Sequence, residues 1–283
     1  MSETSAAELL RQAAVQLAEA GVPSAQHDAK RLLLSVLPAS SLTLDRVTLS
    51  SEANAQFQVL LARRAKREPL QHILQSATIM HLELKSDARA LIPRDDSAEV
   101  IQLATSRLSA RQKDPIVIAD LGTGSGVLLA ECLNVFRAAS GIAVEASAAA
   151  MSLAEENFAL LGLSERVSQF QGSWMDWPDW GICDLIVSNP PYIESGVIPT
   201  LAPEVRGHDP LDALDGGPDG LKAYREIIAA GAAQMKAGSH LVLEIGYDQR
   251  EAVAELLEAS NFSNLEFRQD LGGNDRVIGA IKT

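Results

Sequence analysis

Ile116-Val117-Ile118-Ala119-Asp120-Leu121-Gly122-Thr123-Gly124-Ser125-Gly126 is the stretch on which the fold turns. Ile116 to Asp120 is short, β-branched and mostly apolar, the pattern of a strand buried in a parallel sheet. The alternate glycines that follow let the backbone turn sharply and approach a ligand that a Cβ would push away. A helix opens next, and its free N–H groups can receive an anion such as a carboxylate. By itself the loop is weak evidence for any one ligand, because dinucleotide-binding proteins use a related loop after the same strand.

Outward from this stretch, helix and strand alternate. A helix from Ser97 to Leu108 leads in, and the helix after the glycine loop runs to Arg137. Strand Ile142–Glu145, helix Ala148–Leu161, strand Arg166–Gln171 and strand Asp184–Val187 follow. Beyond a long loop come helix Leu221–Met235, strand His240–Ile245, helix Asp248–Ser260 and strands Asn264–Arg268 and Arg276–Ile281. This order implies an α/β fold, a parallel sheet with helices on both faces. Asp248 and Glu251 have the spacing of a capping box.

Toward the N-terminus the pattern changes. Ser5–Ala20, Ser24–Leu37 and Ser51–Arg67 read as amphipathic helices with polar starters and Gly or Pro stops, enough for a small bundle with a recognition or docking role. His72–Leu74 and Ile79–Leu84 read as strands of a hairpin, with Ala90–Ile92 as a further strand. The expected organisation is a helical domain over 1–70, a hairpin joint over 71–93 and a larger domain over 94–283.

Composition narrows the classes. At 283 residues, 47% hydrophobic and 22% charged, the chain is ordinary for a globular protein. No apolar run approaches the roughly 18 residues needed to cross a bilayer. Met1 to Ala20 carries Glu3, Glu8, Arg11 and Glu19 where a signal peptide needs an apolar segment, so a cytoplasmic location is expected; the chain is separately expected to be a monomer. Cys132 and Cys183 lie in apolar segments and read as buried free thiols, and the five histidines show no ligand spacing with them, so no metal is expected. Of the net charge of −13, residues 1–90 hold 10 basic against 9 acidic groups, leaving 14 against 28 on the remainder. Such an acidic body repels a phosphate backbone and argues against direct nucleic-acid binding. Arg63-Arg64-Ala65-Lys66-Arg67, the one basic run, reads as a solvated helix end.

Two further features carry chemistry. Glu145 ends the second strand, where its carboxylate could take both hydroxyls of a ribose, which suits NAD as well as S-adenosylmethionine. Asn189-Pro190-Pro191-Tyr192 follows the buried strand Asp184–Val187. Each proline fixes φ and removes an N–H, leaving the Asn189 side-chain oxygen and the Pro190 carbonyl as close acceptors for the two hydrogens of a planar –NH2 group. No acid or base suited to hydride transfer stands out, so methyl transfer fits better. Trp174, Trp177 and Trp180, spaced by three, read as a core stripe or a substrate-facing wall.

With these motifs the chain resembles the release-factor glutamine methyltransferases, the HemK or PrmC family, over nearly its whole length. Supporting pieces are Arg67 to Leu74, Leu91-Ile92-Pro93-Arg94, Asp209 to Leu221 and Asp270 to Val277. Departures from the family pattern fall at Gln75, Ile79 to His81, Asp95 to Glu99 and Ser173. The resemblance implies a class I S-adenosylmethionine-dependent methyltransferase with a Rossmann-like seven-stranded sheet and a small N-terminal helical domain. The implied substrate is the glutamine of the Gly-Gly-Gln loop of peptide-chain release factors, methylated on its side-chain amide. Asp120, Gly122, Thr123, Gly124, Ser125, Gly126, Glu145, Trp174 and Asn189 are implied around S-adenosyl-L-methionine, and Asn189, Pro190, Pro191 and Tyr192 around the glutamine. Other readings of the same residues are a nucleic-acid exocyclic-amine methyltransferase and a non-catalytic, cofactor-binding adaptor.

Overall fold

The computed structural model describes residues 5–38, 44, 47–94 and 97–283. Asp95 and Asp96, at one of the departures from the family pattern, lie outside the described residues. The backbone packs as two units, Met1–Ser76 with Leu201–His208, and Ala77–Thr200 with Asp209–Thr283.

The first unit is helical. α1 (Ala6–Glu19) is capped by Ser5, whose Oγ accepts from the Glu8 N–H at 3.3 Å, and Ser50 caps α3 (Ser51–Ala65) in the same way from Ala53. With α2 (Ala25–Ser35) these helices bury Leu17, Leu32, Leu33, Phe57 and Leu61. Where a strand was expected at His72–Leu74, the chain forms α4 (Leu70–Leu74). A three-residue apolar run fits either period, and packing against the helical core decides it: Ile73 is buried there, with Leu70 and Leu74 beside it. Gln75 ends this helix in the left-handed region at φ 55°, a position that favours glycine.

Leu201–His208 carries the short helix α8 (Pro203–Arg206) into this unit, an arrangement absent from the sequence reading. Glu204 there accepts two hydrogen bonds from Arg67, both at 2.6 Å, and one from Arg64 at 3.0 Å. Arg64 also donates to Asp28 at 2.7 Å, with both side chains about 5% exposed or less. The basic run is thus no solvated helix end at Arg64; it is tied into a buried ion network.

The second unit begins with a hairpin, β1 (Ala77–Ile79) against β2 (Leu82–Leu84). Ala90–Ile92, expected as a strand, is irregular and pairs with no other strand. Then follow α5 (Ala98–Arg107), β3 (Val117–Leu121), α6 (Val127–Val135), β4 (Ser140–Glu145), α7 (Ala148–Leu160), β5 (Val167–Gln171) and β6 (Leu185–Ser188). α9 (Lys222–Gln234), β7 (His240–Glu244), α10 (Arg250–Ala259), β8 (Phe262–Gln269) and β9 (Asp275–Lys282) complete the unit. The capping box is not formed: Gln249 takes the N-cap position of α10, and its side chain turns inward to accept from Gly246 N–H at 2.9 Å and donate to the Tyr192 carbonyl at 3.0 Å.

The sheet order is β5-β4-β3-β6-β7-β9-β8, with β5 to β7 parallel and β9 antiparallel to both its neighbours. Alternate residues of the central strands enter different cores. Ile118, Leu185 and Val187 pack with α5 and α6, whereas Ala119, Leu121 and Ile186 pack with Tyr224, Ile227 and Val253 of α9 and α10. Cys132 and Cys183 are buried free thiols, and burial pushes Cys183 up to about 12. Trp177 and Trp180 are buried with ring centroids 5.5 Å apart, as a core stripe should be, and Trp174 packs against the same core but is only partly buried, with one side on the cleft. The strand order reverses between β4, β3 and β6, and Leu121 lies opposite Val144 on one side and Ser188 on the other. Gly122, Glu145 and Asn189 therefore leave the sheet at one edge, where open α/β sheets bind ligands.

Candidate active site

The loop after β3 is held from both sides. Gly122 and Thr123 N–H donate to the Val144 carbonyl at 2.8 and 3.1 Å, and Gly124 N–H donates to Glu145 Oε2 at 2.9 Å. Ser147 N–H takes Oε1 of the same carboxylate at 2.8 Å, so Glu145 is oriented before any ligand arrives. Gly126 has φ 85°, and a Cβ there would stand 2.7 Å from the Phe158 ring, so backbone and packing both require glycine. Asp120 is buried beneath the loop and accepts from Thr123 Oγ1 at 2.7 Å, while its Oδ1 has no hydrogen-bond partner. Burial raises its pKa to about 7 despite the Thr123 hydrogen bond.

The corner after β6 is fixed by its neighbours. Ser188 Oγ donates to the Leu121 carbonyl at 2.6 Å, tying the ends of β6 and β3 together. The Tyr192 hydroxyl donates to Glu244 Oε1 at 3.2 Å, and Ser97 Oγ donates to the other oxygen at 2.8 Å. Burial and the Glu244 charge push the Tyr192 phenol up, so it stays protonated as the donor in this bond. The following loop wraps the same backbone: Gly216 N–H donates to the Ile193 carbonyl at 2.8 Å, and a Cβ on Gly220 would lie 2.5 Å from the Tyr192 carbonyl oxygen. Trp174 donates its indole N–H to Glu226 at 3.2 Å and stands 3.5 Å from the point where a Gly122 Cβ would be.

Between these parts lies a cleft of about 400 Å³. Gly122, Thr123, Gly124, Ser125, Glu145, Trp174, Asn189 and Pro191 all line it. Asp120, Gly126, Pro190 and Tyr192 do not; Asp120 and Gly126 shape the loop from behind, and Tyr192 braces the corner. A neighbouring cavity of about 300 Å³ shares Trp174, Pro191 and Asp212 with it. The sequence reading lacked the braces Asn157, Glu226, Glu244 and Gln249. Their only signal is a polar residue in an apolar frame, such as Glu244 closing the run Leu241-Val242-Leu243. It also lacked the cleft-lining role of Arg89, Ala90, Leu91, Pro93, Ser97, Pro210, Asp212 and Ala213.

The residues fit a nucleoside with a charged tail: a glycine loop without Cβ obstruction, an oriented carboxylate at the end of β4 with lone pairs to spare, and an indole wall. With this sheet order, and with Asn189 and Pro191 of the Asn-Pro-Pro-Tyr corner on the same cleft, the fold and site define a class I S-adenosylmethionine-dependent methyltransferase. Residues 8–74 match the PrmC N-terminal domain and residues 97–202 the methyltransferase small domain. The release factor glutamine methyltransferase of Caulobacter vibrioides is 37% identical, covering 94% of this chain and 93% of its own. That of Cereibacter sphaeroides is 38% identical over 97% and 98%. Among solved structures, the human methyltransferase 10 domain containing protein aligns with a TM-score of 0.52 at 15% identity, covering 70% of this chain and 88% of its own, a likeness of fold. The chain belongs to the release factor glutamine methyltransferase family.

Proposed function

We propose that this chain transfers a methyl group from S-adenosylmethionine to the side-chain amide nitrogen of a glutamine in a peptide-chain release factor. The observation that carries the reading is the position of Asn189. It lines the same cleft as Gly122 to Ser125 and Glu145, and its side-chain amide has no hydrogen-bond partner among the described residues. S-adenosylmethionine supplies a methyl group already activated by a positively charged sulfur, so the protein's task is alignment.

The residues divide that task. Gly122 to Gly126 and Asp120 shape the loop that receives the methyl donor, Glu145 accepts its ribose hydroxyls, and Trp174 walls the base. Asn189 Oδ1 and the Pro190 carbonyl accept the two hydrogens of the glutamine amide, weakening delocalisation of the nitrogen lone pair and favouring the charge that develops there. Pro191 keeps the corner stiff and free of a competing N–H. Tyr192, braced by Glu244, holds the slot in shape. No prior base is needed, because the methylated nitrogen becomes acidic and loses its proton to water.

The helical unit serves substrate recognition and the unit of Ala77–Thr200 with Asp209–Thr283 carries methyl transfer, the chain acting as a cytoplasmic monomer without direct nucleic-acid binding. None of the described helices is long and apolar enough to cross a membrane. The test is methyl transfer from labelled S-adenosylmethionine to a purified release factor, with a variant lacking the loop glutamine and a ribosomal RNA control. Label on the intact factor alone is the expected result. Label on RNA alone, or on the glutamine-free variant, overturns the substrate assignment.

A further inference from the structure

Lys85–Pro93 connects β2 to α5 without regular secondary structure, yet it walls the cleft through Arg89, Ala90, Leu91 and Pro93. A Cβ on Gly124 would stand 4.0 Å from the Ala90 Cβ, so the segment passes directly over the glycine loop. Ala90 packs with Ala150 and Leu153 of α7 in a small apolar cluster of its own.

Beside this apolar contact, polar side chains of helix α7 grip the segment in two places. At its root, Asn157 is fully buried; Oδ1 accepts from the Lys85 N–H at 2.8 Å, and Nδ2 donates to the Lys85 carbonyl at 3.2 Å and the Ser125 carbonyl at 2.9 Å. One side chain thus joins the root of the segment to the glycine loop. Farther along, the two oxygens of Glu156 take Lys85 Nζ at 3.0 Å and Arg89 Nη1 at 2.7 Å. Arg89 is braced in turn by Asp87 at 2.8 to 3.1 Å.

The two grips differ in kind. Loss of the Asn157 amide would leave buried backbone groups unpaired, which is costly. The Glu156 pairs are partly exposed, with side chains 30 to 52% accessible, so they add little to global stability and weaken with salt. A segment pinned at its root and held farther along by weak pairs and one small apolar contact opens locally before the domain unfolds. A ligand beneath it favours the closed form by its contacts with that form.

We propose that Lys85–Pro93 is a strap over the methyl donor, with Asn157 anchoring its root and Glu156 acting as the positioning residue that holds it shut and sets how long the donor and its demethylated product stay bound. This rests on the S-adenosylmethionine reading above. The test follows S-adenosylhomocysteine release from the full chain by stopped-flow tryptophan fluorescence, alongside steady-state kinetics. Glu156→Gln is expected to release the ligand about threefold to tenfold faster. Association should stay within about twofold, since most effects of single changes fall on release. The KM for S-adenosylmethionine rises by a similar factor while that for the release factor stays put. Glu156→Asp restores part of the effect, high salt brings the wild type toward Glu156→Gln, and the ligand-free melting temperature is unchanged. Unchanged release by Glu156→Gln, with the wild type binding normally, overturns the strap alone. A fall in melting temperature with both KM values rising together makes Glu156 a structural residue and also overturns it. Failure of the wild type to bind the ligand removes the cofactor reading and the strap together.

Discussion

The two units bury polar groups to different ends. In the helical unit, Arg64, Asp28 and Glu204 satisfy one another, and Arg67 completes the set from the rim. In the larger unit several buried polar groups brace a cleft at one edge of the sheet: Asn157 the glycine loop, Glu244 and Gln249 the Asn-Pro-Pro-Tyr corner. There the bonding is left incomplete on the cleft wall, because the Asn189 side-chain amide has no hydrogen-bond partner among the described residues. A saturated network holds chain segments together, whereas an unsaturated one on a cleft has capacity left for a ligand.

The contrast can be broken most forcefully in the helical unit. Arg64→Met leaves Asp28 buried without its guanidinium, and removing one partner of a buried pair costs about 3–5 kcal/mol. Urea unfolding followed by helix content should show an early transition that the wild type lacks; one unchanged transition would mean that the network is incidental. Asn189→Ala should behave in the opposite way. Turnover falls by roughly 10²- to 10³-fold, the range for a lost transition-state hydrogen bond, with the unfolding curve and cofactor affinity nearly unchanged. Equal loss of turnover and cofactor affinity would remove its role at the amide. Gly126→Ala combines both effects at a smaller scale, since φ 85° is strained for alanine and the new Cβ meets Phe158. A loss of roughly 1–3 kcal/mol is expected, together with weaker cofactor binding by calorimetry.

A separate effect is on pH dependence, where the units should respond with opposite sign. Burial raises the Glu204 carboxyl, but Arg67 and Arg64 outweigh it and bring the folded pKa down to about 2. Its stabilising contribution is present above the unfolded value near 4.5 and is lost as pH falls toward 2. Asp120 is the reverse: its folded pKa is raised from 3.8 to about 7, so its contribution is full below 3.8 and is lost as pH rises through 7. Asp120→Asn should flatten the alkaline side of the stability profile and Glu204→Gln the acid side. Profiles from thermal unfolding between pH 3 and 8, compared with wild type, check both.

How much of this was legible beforehand depends on the distance over which each feature is decided. The helix–strand alternation from Ser97 onward, the glycine loop, the acid at Glu145 and the stiff Asn189–Tyr192 corner are local. Their hydrophobic period, backbone freedom and missing N–H groups are properties of a few adjacent residues, and the sequence determines them by itself. Boundaries and ambiguous runs were already less secure: Leu70–Leu74 became a helix because Ile73 found a helical core, and Ala90–Ile92 found no strand to pair with. Only the tertiary structure decided the strand order that sets Asn189 beside Gly122, the return of Leu201–His208 to the helical unit, and the bond from Tyr192 to Glu244. These join side chains far apart along the chain, and no local period or turn preference records a partner at that separation; the packing of the whole fold selects it.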